Sequence, residues 1–263
     1  MESIGFIGAG NMGFALAKAA AARVPGAVIH VIDVSPQRME HFLRELPSAR
    51  AGGSAAQVAA AAQLTVLAVK PKDFQAVMGE LRDCPALLVS IAAGVTIARM
   101  EQAMPRARVV RVMPNTPCLV GEMAAGYAFG ARVTAADRDL VRELLAAAGV
   151  AVPLEERLLN AVTGLSASGP AFVAQLMEAF VAAGRRRGIP EEAARELTLQ
   201  TFRGTARLLQ ETGMGAQALV DMVSSPKGTT VAGRAVLEPS DVNEVIFRTV
   251  EAAARRAEEL SRS

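Results

Sequence analysis

A chain of 263 residues has room for one or two domains, and with 51 % hydrophobic and 21 % charged residues it can bury a substantial core. Those proportions exclude a disordered or collagen-like protein, and a formal net charge of +2 gives no electrostatic footprint for a nucleic-acid backbone. Two cysteines, Cys84 and Cys118, and two histidines, His30 and His41, stand at no metal-ligand or redox spacing, so no metal site and no disulfide framework is expected.

The opening Met1-Glu2-Ser3-Ile4 lacks the cationic stretch of a signal peptide. Ser3–Ile7 is a short apolar run that stops at Gly8-Ala9-Gly10-Asn11-Met12-Gly13. An Ala-rich segment with apolar residues at helical spacing (Phe14, Leu16, Ala17, Ala20) follows, then a β-branched run over 27–32 between Pro25-Gly26 and Asp33. Strand, glycine turn, helix, strand is the opening of a parallel βαβ unit. Residues 51–69 are long enough for a membrane span, but Gly52, Gly53, Gln57 and Gln63 leave them weakly apolar. Further strand-like runs cover 64–69, 86–91 and Arg108–Met113, with 124–129 and 150–154 at the far edge. Continuous apolar runs suit strands buried on both faces. After Leu158 the strand runs cease. Helices follow, broken at Gly188-Ile189-Pro190, Gly213-Met214-Gly215, 224–228 and Glu238-Pro239-Ser240, with helix starts after Pro190 and Pro239. The expected architecture is a Rossmann-type, mostly parallel, doubly wound α/β domain over residues 1–157 and an all-helical domain over 158–263. The protein is expected to be cytoplasmic and to have no nucleic-acid or membrane partner.

Gly8-x-Gly10-x-x-Gly13 sits between a strand and a helix, with the acidic Asp33 beyond it, which is the context a dinucleotide-binding turn requires. Gly8 permits the tight turn, Gly10 lets the backbone approach a pyrophosphate, and Gly13 lets the helix pack close to the sheet. The helix N-terminus, with Ala9, Asn11 and Met12 around it, offers free N–H groups to phosphates. Asp33 is placed to bond both adenosine ribose hydroxyls, which favours NADH. Ser35 and Arg38 follow at once, and they suit the 2′-phosphate of NADPH if Asp33 turns away. Val69-Lys70-Pro71 ends an apolar run at the sheet's carboxyl edge, where Lys70 faces either a cofactor or solvent. Ser90 to Gly94 repeats the design with small residues, so that a flat nicotinamide can lie against the backbone at Ala93. After the last core run come Pro114, Asn115, Thr116 and Pro117, of which Asn115 points inward to a ligand or serves the turn.

Together with Leu165-Ser166-Ala167-Ser168-Gly169-Pro170-Ala171 and Ser225-Pro226-Lys227-Gly228-Thr229-Thr230, these motifs resemble those of the pyrroline-5-carboxylate reductases along nearly the whole chain. The resemblance implies reduction of 1-pyrroline-5-carboxylate to L-proline with NADPH or NADH, the last step of proline biosynthesis. It also implies a homodimer, sometimes assembled further, with the helical domain as the dimerisation domain. Ser225, Gly228, Thr229, Thr230 and Asn115 then bind the substrate, and Thr230 is the catalytic hydroxyl beside the imine nitrogen. The family usually has glycine where this chain has Lys227, which puts the geometry of that loop in question.

A protonated cyclic imine brings its own electrophile, so the reaction calls for positioning more than for a strong acid. Neither histidine lies in a motif loop, which agrees. A 3-hydroxyacid dehydrogenase would need a lysine early in the second domain, and no lysine lies between Lys72 and Lys227. An imine reductase for another ring, or a non-catalytic dinucleotide sensor, would share the glycine turn.

Overall fold

The computed structural model describes residues 1–24 and 26–262; Pro25, expected to precede the second strand, lies outside the described residues. The chain forms two compact units, Met1–Pro170 with Val250–Ser263, and Ala171–Thr249.

The first unit contains β1 (Ser3–Ile7), α1 (Asn11–Arg23), β2 (Val28–Ile32), α2 (Pro36–Glu45), β3 (Ala49–Ala51), α3 (Ala55–Ala61), β4 (Leu64–Leu67), α4 (Pro71–Glu80), β5 (Leu87–Ser90), α5 (Ile97–Ala103), β6 (Arg108–Met113), β7 (Met123–Phe129), α6 (Ala135–Ala148) and β8 (Gly149–Pro153). The strands form one sheet in the order β3-β2-β1-β4-β5-β6-β7-β8. Among the described residues only the β6–β7 pair is antiparallel, which makes this the mostly parallel, doubly wound sheet that the apolar runs imply. Its central strands are mostly apolar because both faces are covered, with Thr65, Ser90 and Arg111 as buried polar exceptions. Phe6 packs with Leu16 and Phe42 on one face, while its neighbour Ile7 joins Leu67, Phe74 and Leu88 on the other. Each such side chain contributes about 1.5–3 kcal/mol when fully buried. The 51–69 stretch divides into the end of β3, then α3, then β4, so no continuous helix forms there.

Beyond β8 the chain is helical: α7 (Leu159–Val162), a π-helical turn (Thr163–Ala167), α8 (Gly169–Arg186), α9 (Glu191–Thr212), α10 (Ala216–Met222), α11 (Thr229–Leu237) and α12 (Val242–Arg262). Helix α9 begins after Pro190 with Glu191 and Glu192 in its first turn, where the helix dipole favours acids, and stops at Gly213 with φ of 66°. Pro170 lies in the first turn of α8, yet no break precedes it. The π turn carries the helix through, with the Ser168 N–H donating to Thr163 O at 2.9 Å. Pro170 has no N–H to offer Ser166 O, four residues back, and a widened turn is how a helix accommodates that loss. The helical stretch Glu156–Arg186 has 31 residues and mean hydropathy 1.2, enough by length and composition to cross a membrane, and only 6 % of its apolar window is buried.

Candidate active site

The loops after β1, β2, β4, β5 and β6 all leave the carboxyl edge of parallel strands, and the strand order reverses between β1 and β4. In such sheets that switch point is where ligands bind. The glycine turn opens there. Gly8 has φ of +106°, and a Cβ on it would lie 2.6 Å from Ala68 O; one on Gly13 would lie 2.4 Å from Gly8 O. The turn is therefore closed down against the start of the β4–α4 loop, and only glycine fits. Gly10 is different, because a Cβ there would meet nothing within 4 Å. It precedes α1 without any side-chain cap, so no capping side chain takes up the first N–H groups of α1, at Asn11 and Met12. An uncapped helix end over a cleared backbone fits a pyrophosphate.

Asp33 follows β2 with its carboxylate turned to the protein. Oδ2 accepts from the Ala9 N–H at 2.7 Å and Oδ1 from the Ser35 N–H at 2.8 Å. The Arg38 guanidinium lies 3.8 Å from Oδ2 and is half exposed, while Asp33 is nearly covered. Ser35 caps α2, its hydroxyl accepting from the Arg38 N–H at 3.4 Å. Asp33 thus ties the glycine turn to the start of α2, and Arg38 remains the outward-facing charge.

After β4, Val69 is half-buried and Lys70 exposed. Lys70 precedes α4 without capping it by its side chain, and Pro71 opens that helix, its side chain lying outside the described residues. After β5 the Ser90 hydroxyl accepts from the Ala92 N–H at 3.3 Å, leaving Ala93 exposed. Gly94, at φ +77°, is pressed against Leu260 of α12, whose carbonyl oxygen a Cβ would meet at 2.8 Å. Ala93 and Gly94 border a cavity of about 240 Å³ shared with Met113, Thr163 and Ser168.

Asn115, in the loop after β6, is buried, and its carboxamide is in use. Nδ2 donates to Ser166 O at 3.0 Å and Oδ1 accepts from the Ala124 N–H at 2.9 Å. The oxygen it takes is the one Pro170 cannot serve. The structure thereby joins the β6 loop, β7 and the π turn through one side chain, a role that residue type and spacing did not reveal. Glu156 is another residue the sequence reading passed over. Its Oε1 accepts from the Ile97 N–H at 2.7 Å and from Arg111 Nη1 at 3.0 Å.

The second unit holds Ser225, Gly228, Thr229 and Thr230. Gly228 precedes α11, again without a side-chain cap, and its N–H closes a turn on Ser225 O at 2.9 Å. Lys227 has φ of 59°, the left-handed conformation that suits the glycine usual in the family. Among the described residues, the hydroxyls of Ser225, Thr229 and Thr230 make no hydrogen bond within the chain, while Arg234 holds the loop's near end by donating to the Ser224 hydroxyl at 3.1 Å. Free hydroxyls over an uncapped helix end fit a small carboxylate.

A doubly wound sheet with a glycine turn at its switch point, followed by a helical unit, is the plan of a nicotinamide-dependent oxidoreductase. Residues 156–260 match the profile of the family described as pyrroline-5-carboxylate reductase dimerisation, and residues 3–94 that described as NADP oxidoreductase, coenzyme F420-dependent. The sequence is 38 % identical to a pyrroline-5-carboxylate reductase of Methanosarcina acetivorans, covering 99 % of this chain and 98 % of that one. The fold matches a pyrroline-5-carboxylate reductase from Coxiella burnetii with a TM-score of 0.93 at 32 % identity, over 99 % and 98 % of the two chains. It matches a Plasmodium falciparum pyrroline carboxylate reductase solved with NADP bound with a TM-score of 0.83 at 27 % identity, again over 99 % and 98 %. The chain belongs to the pyrroline-5-carboxylate reductase family.

Proposed function

We propose that this protein reduces 1-pyrroline-5-carboxylate to L-proline with NAD(P)H, the closing step of proline biosynthesis, as a cytoplasmic homodimer or higher homo-oligomer without nucleic-acid or membrane partners. The observation that carries the reading is the presence, in one chain of this family, of two uncapped helix ends suited to two different anions. Gly10 and α1 suit a pyrophosphate, and Gly228 and α11 suit the substrate carboxylate. Residues 1–157 hold the dinucleotide, and 158–263 hold substrate and the dimer interface. Exposed Phe180, Leu197, Val236 and Phe247 are an apolar surface that a second subunit would cover, which also accounts for the bare apolar helix at Glu156–Arg186.

Gly8, Ala9, Gly10, Asn11, Met12 and Gly13 bind the pyrophosphate, and Val69, Lys70, Pro71 and Ala93 line the nicotinamide side. Bound NAD(P)H supplies the hydride. Ser35 and Arg38 take the 2′-phosphate, Arg38 being the half-exposed cation beside Asp33; this favours NADPH over NADH. Ser225, Gly228 and Thr229 hold the carboxylate and so fix the imine carbon in hydride range, the positioning that lowers the barrier. The Thr230 hydroxyl orients the protonated imine nitrogen, which takes back the C=N π pair and becomes the ring's secondary amine once the carbon has taken the hydride. Asn115 serves this site by holding the Ser166 to Gly169 segment, as a positioning residue and not a ligand.

Oxidation of NAD(P)H, followed by nicotinamide absorbance, is expected with pyrroline-5-carboxylate and not with a 3-oxoacid; turnover of the 3-oxoacid alone would refute the reading. A hydrogen bond to a charged group contributes about 1.5–3 kcal/mol, so Thr230→Ala should cost about one to two decades of kcat/KM. Wild-type kcat/KM in that variant would remove Thr230 from the mechanism.

A further inference from the structure

Arg111 is a buried charge to which the proposed mechanism gives no task. It stands in β6 in register with Ser90 of β5 and is 2 % exposed. Its Nη1 donates to Glu156 Oε1 at 3.0 Å, whereas Nε and Nη2 are buried with no hydrogen-bond partner. The same Glu156 oxygen accepts from the N–H of Ile97, the first residue of α5, at 2.7 Å. One carboxylate oxygen therefore joins a core strand to the far end of the loop that carries Ala93. The near end is fixed by the Ile91 N–H on Leu67 O at 3.1 Å, and Gly94 at the middle is pressed against Leu260. A buried guanidinium that uses one of its nitrogens is a poor stabiliser. A well-packed apolar side chain of similar volume is often as good or better, and the unpaired donors carry a desolvation cost. That arrangement makes sense where the gain lies in holding a backbone in one place.

We infer that Arg111 is a positioning residue for the nicotinamide: through Glu156 it fixes the Ile91 to Ile97 segment, and with it the surface at Ala93 against which the ring lies. The inference rests on the nicotinamide site proposed above. Arg111 touches neither substrate nor cofactor. Its effect falls on the nicotinamide half of the dinucleotide and spares the adenosine half, which the glycine turn and α2 hold.

The test compares Arg111→Met with the wild-type protein in the affinity for NADPH and for 2′-phospho-ADP-ribose, which lacks the nicotinamide. Both titrations run without substrate, so their outcome does not depend on the reaction. Arg111→Met is expected to weaken NADPH about threefold or more and leave the fragment unchanged, with Tm held and kcat reduced about tenfold, as for a displacement well under the roughly 1 Å that costs about a hundredfold. Arg111→Lys, which can keep the single contact to Glu156, is expected to recover most of kcat. Equal weakening of NADPH and the fragment, or no change in either NADPH affinity or kcat, would overturn the inference. Should Arg111→Met fail to fold, Glu156→Gln gives the same reading: it keeps an acceptor for the Ile97 N–H and removes the charge facing Arg111, and unaltered NADPH affinity and kcat would again overturn it. Absence of pyrroline-5-carboxylate turnover by the wild-type protein would instead strike the proposed function and leave the binding comparison standing.

Discussion

Asn115 offers the sharpest test of the structure, because one carboxamide satisfies two backbone groups of opposite kind. Asn115→Ala leaves the Ala124 N–H without its acceptor and Ser166 O without its donor, the latter with no substitute available from Pro170. Leaving a buried polar group unpaired costs about 1–3 kcal/mol, and with both groups only partly buried the sum should be about 2–4 kcal/mol. Domains have total stabilities of about 5–15 kcal/mol, so the loss is large but survivable. For a chain of this size it corresponds to a fall in Tm of roughly 5–15 °C. Asn115→Asp separates the two contacts. Its Oδ1 still accepts from Ala124, but an ionised Oδ2 faces Ser166 O lone pair to lone pair. Burial and that repulsion both favour the protonated acid in the folded state, so its folded pKa lies above the unfolded value of about 3.9. Stability is then lost as pH rises from the unfolded pKa through the folded one. The deficit of Asn115→Asp relative to wild type should therefore be full at neutral pH and shrink toward about pH 4, where a protonated acid donates to Ser166 O. Urea denaturation across that range measures it. A deficit independent of pH, or a wild-type Tm for Asn115→Ala, would refute the assignment of these two bonds.

Arg38→Ala should raise the KM for NADPH about tenfold, the low end of a charged hydrogen bond at a half-exposed site, and change that for NADH little; equal losses in steady-state kinetics would show that Arg38 meets no 2′-phosphate. Lys227→Gly relieves a left-handed lysine and should raise the urea midpoint by the equivalent of about 1 kcal/mol, whereas a lowered midpoint would mean that Lys227 makes a compensating contact. Burial pushes the Cys118 thiol up to about 11. At pH 8 about one molecule in a thousand is thiolate, so labelling by iodoacetamide should begin at half-buried Cys84, with the Cys118 rate rising about tenfold per pH unit; prompt labelling of Cys118 would contradict its placement.

What could be read from the chain alone follows from how local the causes are. The glycine turn was legible because a strand, a sharp turn and a helix start are each set by adjacent residues, and the same holds for α9 after Pro190 and α12 after Ser240. The strands β7 and β8 were legible by their apolar runs, and only their direction of pairing required the sheet. The three-residue β3 was not legible, since Ala49-Arg50-Ala51 has no pattern of its own and becomes a strand only by pairing with Ile29 to Val31. At the site the division is the same. Asp33 is singled out by its distance from the glycines, but the direction of its carboxylate is set by a backbone N–H 24 positions away at Ala9. Asn115 drew attention as a polar residue between prolines, while its partner Ser166 O is free because of Pro170, a consequence that no spacing rule links to position 115. Glu156 gave no signal, because an acid just after the last strand reads as solvated surface until the fold brings Arg111 and Ile97 to it. Residues proposed to meet a ligand carry recognisable chemistry in short motifs. Those that hold the motifs in place act across 45 to 59 positions of sequence, and only the tertiary fold shows what they hold.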